Sequence, residues 1–96
     1  MTKAGRQQRY PQIDGDYIVW QDERNNVQDI FAYQISTDTE IAINYQLVGG
    51  VWVRQINGDQ KWPQINGDNI VWESSLNGGS TDIKAFSIAS NSELIV

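Results

Sequence analysis

Gln60-Lys61-Trp62-Pro63-Gln64-Ile65-Asn66-Gly67-Asp68-Asn69-Ile70-Val71-Trp72 is a near copy of Gln8-Arg9-Tyr10-Pro11-Gln12-Ile13-Asp14-Gly15-Asp16-Tyr17-Ile18-Val19-Trp20, displaced by 52 residues. Gln, Pro, Gln, Ile, Gly, Asp, Ile, Val and Trp recur in register, and the Arg/Lys, Tyr/Trp and Asp/Asn exchanges are chemically close. Within each copy, Asp14-Gly15 or Asn66-Gly67 supplies the positive φ that a tight hairpin turn needs. The residues after the turn, 17–21 and 69–73, are β-branched and aromatic and read as strands. Before the turn, the proline pushes its predecessor toward extended backbone, so residues 10–13 and 62–65 read as short strands too.

Outward from these hairpins the pattern continues. Residues 29–36 alternate, with Ile30, Ala32 and Gln34 on one face and Phe31, Tyr33 and Ile35 on the other. Thr37-Asp38-Thr39 turns the chain into a fourth strand over residues 40–44. In the second copy the corresponding strands are 82–89 and a shortened 93–96, now displaced by 53 because the preceding loop is one residue longer. Each unit is therefore a four-stranded antiparallel meander, mostly apolar on both faces. Such a sheet needs cover on both sides. No segment holds a helical period.

Between the units, Val51-Trp52-Val53-Arg54 alternates like a strand, and Gln55-Ile56-Asn57-Gly58-Asp59 echoes Gln64-Ile65-Asn66-Gly67-Asp68. Residues 45–59 read as a local duplication inserted into the connection, forming an extra hairpin or a protruding flap. The organisation expected is a flexible arm over 1–9, a first unit over 10–44, the insertion over 45–59 and a second unit over 60–96.

The chain of 96 residues has no cysteine and no histidine. That removes disulfides, thiolate metal sites and the commonest general base. Its formal charge is −5. Lys3, Arg6 and Arg9 precede any acid, and the remaining four basic residues face twelve acidic ones. A phosphate-tracking surface needs the opposite balance, so no nucleic-acid partner is expected. No stretch approaches the roughly 20 apolar residues of a membrane span, and no apolar leader opens the chain as given. No membrane association is expected, and the cytoplasm is the default compartment.

Each unit runs Pro-Gln-Ile-(Asp/Asn)-Gly-Asp, then Ile-Val-Trp, a polar loop, Asp-Ile with an aromatic residue soon after, and Glu with an apolar pair. Over residues 10–43 and 62–96 this resembles the TolB-like β-propeller repeat. Asp22-Glu23-Arg24-Asn25-Asn26 is similar to a loop common in such repeats, whereas Glu73-Ser74-Ser75-Leu76-Asn77-Gly78 departs from it and has no Arg. The resemblance implies an all-β chain of two four-stranded propeller blades. Members of that family carry a whole ring of blades, typically six, and two repeats leave bare apolar faces. Completion of the ring by homo-oligomerisation is therefore expected, as a trimer of six blades or next as a tetramer of eight. The implied role is a non-catalytic binding scaffold presenting loops to a protein partner. A lectin-like carbohydrate binder and a self-assembling fragment with no ligand, evolutionary or engineered, are the alternatives.

In that topology Trp52 and Arg54 share a rim with Asp22, Arg24, Asn25 and Asn77, an aromatic platform beside planar polar groups that suits a sugar ring or a protein loop. Trp52 as a plug in the subunit joint is the competing role. Gln12 and Gln64, alternating with Ile13 and Ile65 that are expected to be buried, are placed on the channel wall. Trp20 and Trp72 are expected in the core. Tyr10 and Trp62 either pack or stack a ligand. Asp29 and Asp82 are expected to accept hydrogen bonds from the preceding loop, or, for Asp29, to pair with Arg24. Asp14-Gly15-Asp16 and Asn66-Gly67-Asp68 lack the further carboxylates and spacing of a calcium loop, so neither metal nor cofactor is expected. Asp22 and Glu23 are adjacent and diverge on a strand, and no glycosidase-like carboxylate pair is identifiable. The expectation is a protein that is not an enzyme.

Overall fold

The computed structural model describes residues 8–24, 27–54, 58–75 and 81–94. Among them lie ten strands and no helix. β1 (Gln8–Asp14), β2 (Tyr17–Asp22), β3 (Asp29–Gln34) and β4 (Thr39–Ala42) form one open antiparallel meander. β5 (Tyr45–Val48) and β6 (Val51–Arg54) form a separate two-stranded hairpin. β7 (Asp59–Asn66), β8 (Asn69–Ser75), β9 (Thr81–Ser87) and β10 (Ser92–Leu94) form a second open meander.

Turn chemistry sets the registers. The β1–β2 ladder ends at the pair Asp14–Tyr17, leaving Gly15 and Asp16 as a two-residue loop, and the β7–β8 ladder ends likewise at Asn66–Asn69. Gly15 has φ +56° and Gly67 +64°, the left-handed conformation the first central position of a type II′ turn requires. Asp16 then caps the next turn, its Oδ1 accepting from Ser36 N at 2.8 Å. In the inserted hairpin both central residues, Gly49 and Gly50, have positive φ, as a type I′ turn demands.

One backbone expectation is overturned at both copies. Tyr10 has φ +57° and Trp62 +54°, so the proline does not hold its predecessor in the β region. The register explains why. Arg9 pairs with Gln21 and Gln12 with Val19, so Tyr10 and Pro11 together oppose Trp20, and Trp62 and Pro63 oppose Trp72 in the same way. This is a β-bulge whose first residue is left-handed, and the bulge gives the ring that lacks an N–H a position outside the ladder. Left-handed backbone at a bulky residue costs about 1–3 kcal/mol, and the surrounding ladder overdetermines it.

Residues opposite one another across a ladder share a face. In the first sheet Val19, Ala32 and Ile41 form one row, and Gln21 and Ile30 lie on the same face. In the second sheet Ile65, Ile70 and Phe86 form a row. These two faces meet. Val19, Ile30, Ala32, Ile43, Ile70, Trp72 and Phe86 make one buried cluster, with Ile41, Ile65 and Ile88 packed against it. β7 lies across β1, β2 and β3. Hydrogen bonds sew the joint: Gln60 N to Gln28 O at 2.7 Å, Trp62 N to Gln21 Oε1 at 3.1 Å and Gly67 N to Asp14 Oδ2 at 2.6 Å. Trp72 is buried in this cluster; Trp20, expected there too, is buried on the opposite face of the first sheet, in the row Trp20–Phe31–Ala42. Ile13, expected to be buried, is 65% exposed. It belongs to the row Ile13–Ile18–Tyr33, on the face of the first sheet that turns away from the second.

Candidate functional site

That outward face of the first sheet carries the polar rim. Asp22 and Asp29 face each other across the β2–β3 ladder, and both are buried. Asp22 accepts from Trp20 Nε1, Arg24 N and Arg24 Nη2, each at 2.8 Å. Burial alone would raise the Asp22 pKa, but these donors and the Arg24 charge outweigh it and hold the carboxyl below its ordinary value. Arg24 also reaches Glu40, with Nη1 2.6 Å from Oε1 and Nη2 3.1 Å from Oε2, and its guanidinium lies 4.0 Å above the Phe31 ring. Desolvation works against the guanidinium charge, and the two carboxylates override it.

The folded pKa of Asp22 lies below its unfolded value, so its contribution to stability is present above the unfolded pKa and is lost as pH falls through the folded one. Asp22→Asn is expected to cost about 2 kcal/mol at neutral pH, the scale of a hydrogen bond to a charged group. The gap to the unsubstituted protein should narrow below about pH 4, read from urea midpoints. A gap constant down to acid would rule out this account.

Asp29 takes partners other than those expected. Its Oδ1 accepts from Arg54 Nε at 2.8 Å and its Oδ2 from Tyr45 OH at 2.8 Å, while Arg24 is occupied by Asp22 and Glu40. The reason is reach: Arg54 and Tyr45 stand opposite each other at the foot of the inserted hairpin, and both close over the same buried carboxylate. Arg54 Nη2 also donates to Gly58 O. The Tyr45 ring packs on Phe31, with centroids 5.9 Å apart. In the second sheet the equivalent Asp82 is exposed.

A cavity of about 260 Å³ opens between hairpin and sheet, lined by Arg24, Phe31, Glu40, Ala42, Tyr45 and Trp52. Of the residues singled out in the sequence, it joins Arg24 and Trp52. Asp22 lies beneath Arg24, and Arg54 points to Asp29 and is not part of the lining. Asn25 and Asn77 fall outside the described residues. Phe31, Glu40 and Tyr45 complete the cavity without having been singled out for it. Glu40 lies 16 residues from Arg24, and no local spacing signals that pair.

Gln12 and Gln64 are both exposed. Gln64 lines a second cavity of about 240 Å³ with Trp62, Val71, Trp72, Glu73 and Ile83. Tyr10 and Trp62 meet edge to face at 6.4 Å and stay about half exposed. Among the described residues no group of three Asp or Glu side chains is placed to hold a metal ion.

The remaining feature is a pair of uncovered faces. On the outward face of the second sheet, Val71 is 40%, Ile83 54% and Leu94 39% exposed. Repeat offsets of 52 and 53 make these the counterparts of Val19, Ile30 and Ile41, which the second sheet covers. On the outward face of the first sheet, Ile13, Ile18, Tyr33 and Ile35 are the counterparts of Ile65, Ile70, Phe86 and Ile88, which line the internal joint.

Comparison with known proteins brings no match, either to a protein-family model or to a curated protein.

Proposed function

We propose that this chain is a non-catalytic binding scaffold: two TolB-like propeller blades that close into a ring with further copies and present their loops to a protein partner. The observation that carries the reading is the equivalence of the two uncovered faces with the two faces of the internal joint. Each free face is a sequence copy of a surface that the chain already buries against its own other half. A contact of that kind is heterologous, so it either closes into a ring or runs on as a fibre. Three chains supply the six blades typical of the resemblance, and four would supply eight. Arg24, held between Asp22 and Glu40 just after β2, is a fixed point of the rim, and loops on rigid scaffolds are where partners bind.

Magnitudes set a condition on the assembly. Full burial of a Val, Leu or Ile side chain stabilises by about 1.5–3 kcal/mol. Covering the exposed parts of Ile13, Ile35, Val71, Ile83 and Leu94 thus contributes about 1 kcal/mol each, against an association cost of roughly 4–15 kcal/mol. The faces alone leave little surplus, and a ring needs further apolar contact.

Light scattering coupled to size exclusion is expected to give a mass near three chains. A mass of four would change the blade count and keep the ring, and a well-folded monomer would sink the proposal. A carbohydrate-binding reading has one observation in its favour, the cavity that sets the Trp52 and Tyr45 rings beside the Arg24–Glu40 pair. A glycan array tests it.

A further inference from the structure

We infer that the β5–β6 hairpin is a clasp that holds the second sheet of a neighbouring copy of this chain, an inference that rests on the ring reading above. The hairpin follows directly on Ile43 of the internal joint. Its foot, Tyr45 and Arg54, is fixed to Asp29 on the outward face, and Tyr45 packs on Phe31 of that same face. Beyond the foot its side chains have little cover. Leu47 is 55%, Val48 52%, Val51 63%, Trp52 63% and Val53 40% exposed. Leu47 and Trp52 are paired on one side of the hairpin, and Val48 and Val51 on the other. A two-stranded hairpin is marginal in water without a surface to pack on, and a contiguous apolar tip of this kind marks an interaction site.

The occupant follows from position. The hairpin stands at one end of the face formed by Ile13, Ile18, Tyr33 and Ile35, which copies the internal face of the second sheet. What covers that internal face is Val19, Ile30 and Ile41. The surface on another copy that reproduces Val19, Ile30 and Ile41 is Val71, Ile83 and Leu94. A second chain seated there brings its second sheet alongside the hairpin. The apolar tip supplies the contact that the two sheet faces lack. Because the insertion occurs once for every two repeats, it distinguishes the joint between chains from the joint within one.

The test uses the full chain and two single substitutions, Trp52→Glu on the clasp and Ile83→Glu on the surface it would hold. Both side chains are more than half exposed, so each variant is expected to fold, which near-ultraviolet circular dichroism checks. Each alone is expected to weaken assembly at least tenfold and run as a monomer where the unsubstituted chain is a ring. Mixed together they are expected to form a dimer, since the Ile83→Glu chain retains an intact clasp and the Trp52→Glu chain an intact sheet face. If the unsubstituted chain assembles and Trp52→Glu assembles equally well, the clasp is wrong. If the unsubstituted chain is itself a monomer, the ring reading fails and takes the clasp with it.

Discussion

Trp72→Ala is expected to remove most of the stability of this protein. The indole is 2% exposed and sits in the cluster of Val19, Ile30, Ile70 and Phe86 between the two sheets. Truncating a buried Trp to Ala costs about 3–5 kcal/mol, because the space it leaves is only partly refilled. A second loss comes with it. Trp72 Nε1 donates to Gln60 Oε1 at 2.7 Å, and Gln60 is itself 2% exposed. The lost hydrogen bond adds about 1 kcal/mol. Natural domains have about 5–15 kcal/mol to lose, and small ones sit low in that range. Trp72→Phe keeps a ring in place and should lose mainly the hydrogen bond. Trp52→Ala, at an exposed tip, should leave the stability of the single chain within about 0.5 kcal/mol at a concentration too low for assembly. Urea denaturation followed by far-ultraviolet circular dichroism separates the three. An unaltered midpoint for Trp72→Ala would show that the two sheets do not rely on each other for their cores.

Much of the strand pattern is readable from the repeat, for a local reason. Asp14-Gly15 and Asn66-Gly67 set the hairpins, and the period-2 alternation of residues 29–34 sets the third strand, so each strand is specified by residues next to it in the chain. What covers a face is not local. Ile13 and Ile65 occupy the same position of the repeat, yet Ile13 is exposed and Ile65 packs against the core. The alternation tells which side of a strand is apolar, and the position of the unit in the chain decides whether anything lies on it. The bulges at Tyr10 and Trp62 escaped for a different reason. The preference of a residue before proline is a tendency of the free dipeptide, and the ladder on both sides of Tyr10-Pro11 overrides it. The rim was half legible. Trp52 and Arg54 stand out because they lie in the insertion, where the repeat does not require them, and Arg24 because the second copy has no Arg, whereas the attachments of Asp29 span 16 residues to Tyr45 and 25 to Arg54, and sequence spacing carries no trace of them.

Those attachments give the other large effect. Asp29→Ala is expected to cost about 3–5 kcal/mol, the usual result of removing one partner from a buried ion pair. Asp29 is 2% exposed at its side chain and Arg54 23%, so the guanidinium left behind has water on one side only. Tyr45 OH loses its acceptor at the same time. Asp29→Asn keeps a carbonyl oxygen for one donor and removes the charge, and should fall between the unsubstituted protein and Asp29→Ala. The damage should also be unevenly distributed. The hairpin is held at its foot by Asp29, so its backbone amides should lose protection from hydrogen exchange further than those of β2 and β3. Arg54→Ala strands the carboxylate in place of the cation and keeps the Tyr45 bond. The double variant Asp29→Ala with Arg54→Ala should therefore cost less than the sum of the two, by a coupling of about 1–3 kcal/mol. Strict additivity would mean that the two groups do not sense each other, and that Tyr45, through Phe31 and its own bond to Asp29, holds the hairpin on the sheet.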